Sequence, residues 1–148
     1  MLTANTFQTK TVYYEHQNSK PMTQEEKQLL LADLCARLPY GVKLQIEGLA
    51  NKTIHDKGIR KLASVLPSRN AVEYDVQGSN YGVIIDLVKP YLRPMSSMTE
   101  EEIGHCNYLL FHMEDSLSYY DYLNSIHIDY RGLISMGIAF EAPDGMYN

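Results

Sequence analysis

The sequence predicts an α+β domain in which an N-terminal helix and short C-terminal helices pack on a small, strongly bent antiparallel sheet of about four strands, with an SH3-like barrel as one form of that sheet. Three patterns predict it. A leucine stripe follows Thr23, apolar and polar side chains alternate over about residues 42–88, and a second helix-start signal lies at Thr99. The C-terminal helices are expected over about residues 99–137.

The first helix is predicted over residues 24–38. Thr23 and Glu26 have the spacing of a capping box, in which each side chain accepts a hydrogen bond from the other residue's amide. Leucines then mark one helical face: Leu30, Leu31, Leu34 and Leu38. Pro39 has no amide hydrogen, so the helix is expected to end before it.

Alternation with a period of two predicts the strands. The first has apolar residues at every second position: Val42, Leu44 and Ile46. Residues 72–76 repeat the pattern, Gly78, Ser79 and Asn80 form a turn, and residues 81–88 complete the sheet. Pro90 and Pro94 are expected to prevent further regular pairing.

Residues 59–66 admit two interpretations. Helical spacing relates Ile59, Leu62, Ala63 and Leu66. Gly58 and the β-branched residues Ile59 and Val65 instead favour the return strand of a hairpin whose turn spans residues 55–58. We favour the strand, with the helix as the alternative.

The second capped helix is predicted from Thr99 to about Met113. Thr99 and Glu102 form another capping box, and three consecutive carboxylates at residues 100–102 favour the positive end of the helix dipole. The acidic run is therefore interpreted as structural.

Two shorter helices are predicted to follow. Ser118 is expected to cap one that ends at Leu123. Asp129 is expected to cap another that ends at Met136, with Gly137 after it.

Length and composition favour a globular protein. The 148 residues are 45% apolar and 21% charged. Residues 1–21 have no clear period and are expected to be an extension outside a single domain of residues 22–148.

Because no apolar run could span a bilayer and no signal-peptide core is present, we expect a cytoplasmic protein with no membrane association. Cys35 and Cys106 are expected to be buried thiols.

Charge is distributed unevenly. Residues 1–74 carry 10 Lys and Arg against 7 Asp and Glu, whereas residues 75–148 carry 3 against 11. The second half would therefore repel a polyanion. Basic residues of the first half form the candidate nucleic-acid face: Lys52, Lys57, Arg60, Lys61 and Arg69. A solvated surface is the competing interpretation.

Residues able to perform chemistry do not have the spacings that known sites require. Glu102 and His105 supply a single i, i+3 pair, whereas a bundle-type dimetal site needs two such pairs and further carboxylates. Adjacent helical residues point about 100° apart, so His105 is poorly placed as a base for Cys106. We expect no metal, no cofactor and no catalytic site. The alternative is a small enzyme using His105, Cys106 or His127.

Tyrosines are the remaining distinctive feature. The chain has 12, and several lie in the acidic half: Tyr119, Tyr120, Tyr122 and Tyr130. Tyrosine rings supply contact area while the hydroxyl stays hydrogen-bonded, so this group is the candidate protein-interaction site. A half-buried tyrosine core is the alternative.

Several motifs resemble an uncharacterised family of short proteins from gut Bacteroidales and their prophages. They are residues 33–41 (DLCARLPYG), 88–102 (VKPYLRPMSSMTEEE), 122–125 (YLNS), 129–134 (DYRGLI) and 141–147 (EAPDGMY). The resemblance implies an accessory protein of a mobile element and brings no activity, cofactor or site. Where that family has a His-His-aromatic stretch, this chain has a single histidine, His127.

Together these observations predict a non-enzymatic interaction module that binds a protein partner or a second copy of itself. A nucleic-acid-associated protein is the first alternative, and a small enzyme is the second.

Overall fold

The computed structural model describes residues 21–49, 57–112 and 116–148. Within them the helices are α1 (Gln24–Arg37), α2 (Glu100–His112) and α3 (Leu117–Ser125), and the strands are β1 (Lys43–Ile46), β2 (Ile59–Leu66), β3 (Ala71–Val76), β4 (Ser79–Ile84), β5 (Val88–Leu92) and β6 (Phe140–Glu141). The α+β class is confirmed. Residues 1–20 of the predicted extension lie outside this part of the chain.

Helix α1 begins as predicted. The Glu26 amide donates to the Thr23 hydroxyl at 3.1 Å and the Thr23 amide donates to the Glu26 carboxylate at 3.0 Å, which is the reciprocal capping box. Leu30, Leu31 and Leu34 are buried against the sheet. The regular helix ends at Arg37, and a 3-10 turn contains Pro39.

The sheet has six strands in the described residues, in the order β4-β3-β2-β1-β5-β6. The prediction of about four was too low. The order has two ends, β4 and β6, instead of the closed circuit of a barrel. Strand β2 is antiparallel to both β1 and β3, so the strand interpretation of residues 59–66 is confirmed.

One predicted strand is in fact two. Residues 79–84 pair with β3, a 3-10 turn over Ile85–Leu87 follows, and β5 then pairs with β1. Ser79 and Asn80 belong to β4, because the turn itself is Gln77 and Gly78, whose φ values are 51° and 87°.

Pro90 lies inside β5, contrary to the prediction that it prevents pairing. It lies opposite Leu44. The amide of Glu47 donates to Leu87 while that of Ile46 donates to Gly58, so odd-numbered amides of β1 face β5. Position 90 therefore belongs to a pair that exchanges no backbone hydrogen bonds with β1, and the missing proline amide is not needed there.

Strand β6 makes the sheet mixed, where a purely antiparallel one was predicted. Phe140 and Glu141 pair in parallel with Tyr91 and Leu92. A parallel neighbour requires a long crossover, which α2 and α3 supply. A two-residue strand has no alternation from which to predict it.

The helix predicted over residues 129–136 is absent. Both carboxylate oxygens of Asp129 accept amide hydrogen bonds, from Leu133 and Ile134, each at 2.9 Å. This resembles the predicted cap. Gly132, however, has a φ of +80°, which is not helical, and the segment forms turns.

Two apolar clusters hold the layers together. The larger lies between α1 and the inner face of the sheet and includes Leu133 and Ile138. The smaller joins α2, α3 and the following segment through Cys106, Leu123 and Ile128. None of the helices in the described ranges combines the length and apolar character needed to cross a bilayer.

Candidate functional site

Helix α2 presents three different faces, because residues three, four or seven positions apart share a side of a helix. Its start is fixed by the predicted capping box, with the Glu102 amide 3.1 Å from the Thr99 hydroxyl and the Thr99 amide 2.9 Å from the Glu102 carboxylate.

The core face of α2 is narrow. Cys106 and Leu109 are its buried residues, and Glu102 lies one turn before Cys106 on the same side. Arg93 at the end of β5 binds both carboxylate oxygens of Glu102 at 2.8 Å. This hydrogen-bonded pair lowers the pKa of Glu102 to about 2.

The outer face of α2, as we call it, comprises Ile103, Asn107, Leu110 and Phe111. Their spacing is i, i+4, i+7 and i+8, the pattern of a helix that buries an apolar stripe. All four side chains are nevertheless exposed, Phe111 to 83% and Leu110 to 55%. Leu117 at the start of α3 is 76% exposed.

The cleft face of α2, as we call it, comprises Glu101, His105, Tyr108 and His112. The three aromatic rings of this face form a continuous series. The Tyr108 ring stacks on that of His112 with 4.4 Å between centroids and lies 6.3 Å from the ring of His105. His105 in turn meets Tyr122 of α3 edge-on at 4.3 Å.

Glu101, His105 and Tyr108 of this face line a cleft of about 1170 Å³. Residues 141–148 line the same cleft, as do Arg93 and His127. The cleft lining carries four carboxylates: Glu101, Glu102, Glu141 and Asp144. Among the described lining residues the one guanidinium is that of Arg93, which is paired with Glu102.

His127 is an unusual part of the lining. Its φ is +64°, which is costly for a residue with a Cβ. The side chain is 6% exposed, its ring stacks on Tyr147 at 3.6 Å, and its Nδ1 is buried with no hydrogen-bond partner. Burial, aided by Arg37, Arg93 and Lys43, lowers the pKa of His127 to about 4, so the imidazole is neutral at pH 7.

Comparison with models of protein families, with curated proteins and with solved structures finds no match to this chain. The function is therefore inferred from the surfaces described above.

Three of the four predicted interaction tyrosines contact one another, because the Tyr120 ring lies 5.1 Å from the rings of both Tyr119 and Tyr130. Tyr120 is exposed, whereas Tyr119 and Tyr122 are half-buried and pack on the smaller apolar cluster. Tyr122 also reaches the cleft. Tyr130 is held by Asn124 and Arg131 and shares an open groove with Tyr120.

The predicted nucleic-acid face is dispersed over the sheet. Lys52 lies outside the described residues. Arg60 is opposite Leu44 while Lys61 is opposite Lys43, so the two basic side chains belong to opposite faces. Lys57 and Arg69 flank the eight-residue strand β2, which spans about 26 Å. Arg60 and Lys61 therefore do not share one face of the sheet, and the nucleic-acid face stays a prediction.

Only one of the two predicted buried thiols is buried. Cys106 is, and burial raises its pKa, with a further contribution from Glu102. Cys35 is exposed, because it lies beside the leucine stripe of α1 and points away from the sheet. In the described ranges no three His, Cys, Asp or Glu side chains come together as metal ligands. His16 and His55 lie outside those ranges.

Sequence reasoning missed the outer face of α2. Its i, i+7, i+8 spacing is visible in the sequence, but Cys106 also supplies an apolar position three residues after Ile103. Spacing alone therefore does not separate the exposed stripe of Ile103 from the buried face of Cys106. Two apolar faces on one short helix indicate that the domain core buries one face and leaves the other exposed.

Proposed function

We propose that the protein is a non-enzymatic interaction module that self-associates in the cytoplasm through the outer face of α2. The observation that carries this proposal is the exposed apolar stripe of Ile103, Leu110 and Phe111. Scattered apolar side chains are normal on a protein surface, whereas an aligned stripe with helical period is typical of a helix that packs against a partner.

Two further large apolar side chains are exposed on α3. Leu117 and Tyr120 of α3 follow within ten residues of Leu110, and both are exposed. Apart from Tyr108 on the cleft face, five of the large exposed apolar side chains lie over residues 103–120, so exposed apolar side chains are concentrated in α2 and α3. Concentration of this kind supports a protein interface.

Asn107 favours a second copy as the occupant. It lies on the outer face between Ile103 and Leu110, without a charged residue between them on that side. The carboxamide both donates and accepts hydrogen bonds, so two Asn107 side chains related by a two-fold axis satisfy each other. A single asparagine in an apolar helical seam also fixes register and oligomeric state.

The missing catalytic arrangement in the sequence and the resemblance to accessory proteins of mobile elements agree with this proposal. Nucleic-acid binding receives less support, because the basic residues of the described sheet divide between its two faces.

Sedimentation equilibrium over a range of concentrations tests the proposal. The wild-type chain is expected to be a dimer at tens of micromolar, and Phe111→Ser combined with Leu110→Ser to weaken dimerisation more than about tenfold, since both side chains would be central to the interface. Both are exposed, so the folded monomer should be retained.

Tyr108→Ser is the matched control. Tyr108 is 54% exposed on the same helix but lies on the cleft face, so its removal should leave the dimer unchanged. A wild-type chain that stays monomeric at several hundred micromolar would overturn self-association, and so would an equal loss in the control. If the wild-type chain stays monomeric, the outer face of α2 would instead be assigned to a partner protein of different sequence.

A further inference from the structure

Residues 142–148, which we call the C-terminal strap, are attached to the sheet near both ends. At the start of the strap, the Ala142 amide donates to the Leu92 carbonyl at 2.7 Å. Near its end, the Tyr147 hydroxyl accepts a hydrogen bond from β1 and donates one to β5. Residues 143–145 between these attachments are exposed. The hold of the sheet on the second half of the strap is therefore concentrated at the Tyr147 side chain.

The Tyr147 ring lies directly on the ring of His127. The two centroids are 3.6 Å apart and the planes are inclined by 16°, so one face of the imidazole is covered by the strap itself. His127 is 6% exposed, and its Nδ1 is buried without a hydrogen-bond partner among the described residues. The position of the strap and the burial of the imidazole are therefore coupled.

The surroundings of His127 oppose a positive charge on its ring. Burial disfavours the imidazolium form, and so do three cations on neighbouring elements: Arg37 of α1, Arg93 after β5 and Lys43 of β1. Together they lower the pKa of His127 to about 4. The carboxylates paired with these cations or lining the cleft are Asp33, bound to Arg37, Glu102, bound to Arg93, and Glu101, Glu141 and Asp144. Tyr147 adds no charge, because burial raises its pKa to about 12.

We propose that protonation of His127 releases the C-terminal strap from the sheet and exposes the imidazole to water. Lifting the Tyr147 ring uncovers one face of the imidazolium, which water then hydrates. The proton therefore binds more tightly to the released form, and acidification shifts the equilibrium towards that form.

Release of the strap requires no disruption of the core. Lys43 lies opposite Tyr91 when the register of β1 and β5 is continued, so the Lys43 amide gains the Tyr91 carbonyl as a direct partner once the Tyr147 hydroxyl leaves. The strap itself keeps two turn hydrogen bonds, from Met146 to Pro143 and from Asn148 to Gly145. Local opening of this kind costs less free energy than global unfolding.

NMR of the full-length, isotope-labelled protein between about pH 7.5 and 4 tests the proposal. The Tyr147 ring protons report the strap, because stacking on His127 displaces their chemical shifts and release returns them to those of a free tyrosine. The opening constant of the strap is expected to rise more than about tenfold between pH 7 and 4.5, while the amides of Leu44 and Leu62 keep their folded shifts. Unchanged Tyr147 signals, or their loss together with the core signals, would overturn the proposal.

Two variants separate His127 from the other groups that titrate in this range. His127→Asn suits the positive φ and should make the opening constant independent of pH, whatever its value. Asp144→Asn removes a carboxylate of the strap itself and should leave the pH dependence unchanged within about twofold. A pH dependence that persists in His127→Asn, or that disappears in Asp144→Asn, would contradict the assignment of the switch to His127.

Discussion

The hydroxyl of Tyr147 donates a hydrogen bond to the backbone carbonyl of Tyr91 at 2.7 Å. It also accepts one from the Lys43 amide at 2.9 Å. Continuing the register of β1 and β5 would bring Lys43 opposite Tyr91, so a side-chain hydroxyl bridges the two strands where a direct backbone hydrogen bond would otherwise form. The C-terminal segment that lines the cleft is thereby attached to the sheet.

Replacing Tyr147 with Phe should lower the free energy of unfolding by about 1–3 kcal/mol, because the Lys43 amide and the Tyr91 carbonyl both lose a partner. Urea denaturation measures the change. Tyr81→Phe removes a hydroxyl from a half-exposed ring and is expected to change stability by less than about 0.5 kcal/mol. Equal stability of the two variants would contradict the bridging role.

A buried charge cluster should be sensitive to the loss of one member. Asp33 and Arg37 are completely buried, and Asp33 accepts from Arg37 at 2.9 Å and from Arg131 at 3.1 Å. Asp33→Asn leaves two guanidinium groups without a counter-charge, which should cost about 3–5 kcal/mol of unfolding free energy. Thermal or urea unfolding tests this.

Asp86 offers the comparison for Asp33. It pairs with Lys27 at 3.0 Å on the surface, and Asp86→Asn should cost less than about 1 kcal/mol. Similar losses in the two variants would show that the Asp33 cluster is no more important than a surface ion pair.

Stability should fall with pH below about 6.5 because of His127. Its pKa is lowered to about 4 in the folded protein, so in this range the unfolded chain binds a proton that the folded protein does not. The contribution of neutral His127 to the free energy of unfolding is fully present above the pKa of the unfolded chain. It is lost as pH falls from about 6.5 towards 4.

His127→Asn removes this titration and suits the positive φ of the position. The slope of unfolding free energy against pH between 6.5 and 4.5 should therefore be smaller in the variant. An unchanged slope would show that His127 is not responsible. Glu102, whose pKa is about 2, contributes only at lower pH.

The two thiols should differ in reactivity. Cys35 is exposed, whereas Cys106 is buried and its pKa is raised. A thiol reagent at pH 7.5 should modify Cys35 rapidly and Cys106 only as the protein opens, because the thiolate is the reactive form. Peptide mapping of the folded protein identifies the modified residue, and equal rates would contradict the burial of Cys106.

Local signals predicted much of the fold. The capping boxes at Thr23 and Thr99 depend on neighbours three residues apart, and both form. The strand at residues 59–66 was also recognised. Strand β6 and the pairing of Pro90 depend on contacts between distant segments, which alternation within a strand does not contain.

The candidate sites were less predictable for the same reason. The cleft joins α2 to residues 141–148, and nothing in either segment specifies the other. The partners of the buried Asp33 and Arg37 include Arg131 and the Ile128 carbonyl, which lie more than 90 residues away in the chain.

An isotope-filtered nuclear Overhauser experiment on an equal mixture of labelled and unlabelled chains tests the proposed self-association most directly, because it needs no substitution. Contacts between the Phe111 ring of one copy and the methyl groups of Ile103 and Leu110 in the other are expected. Contacts from Tyr81 and Ile84 on the exposed strand β4, or no contacts between copies at concentrations above 0.5 mM or so, would contradict it.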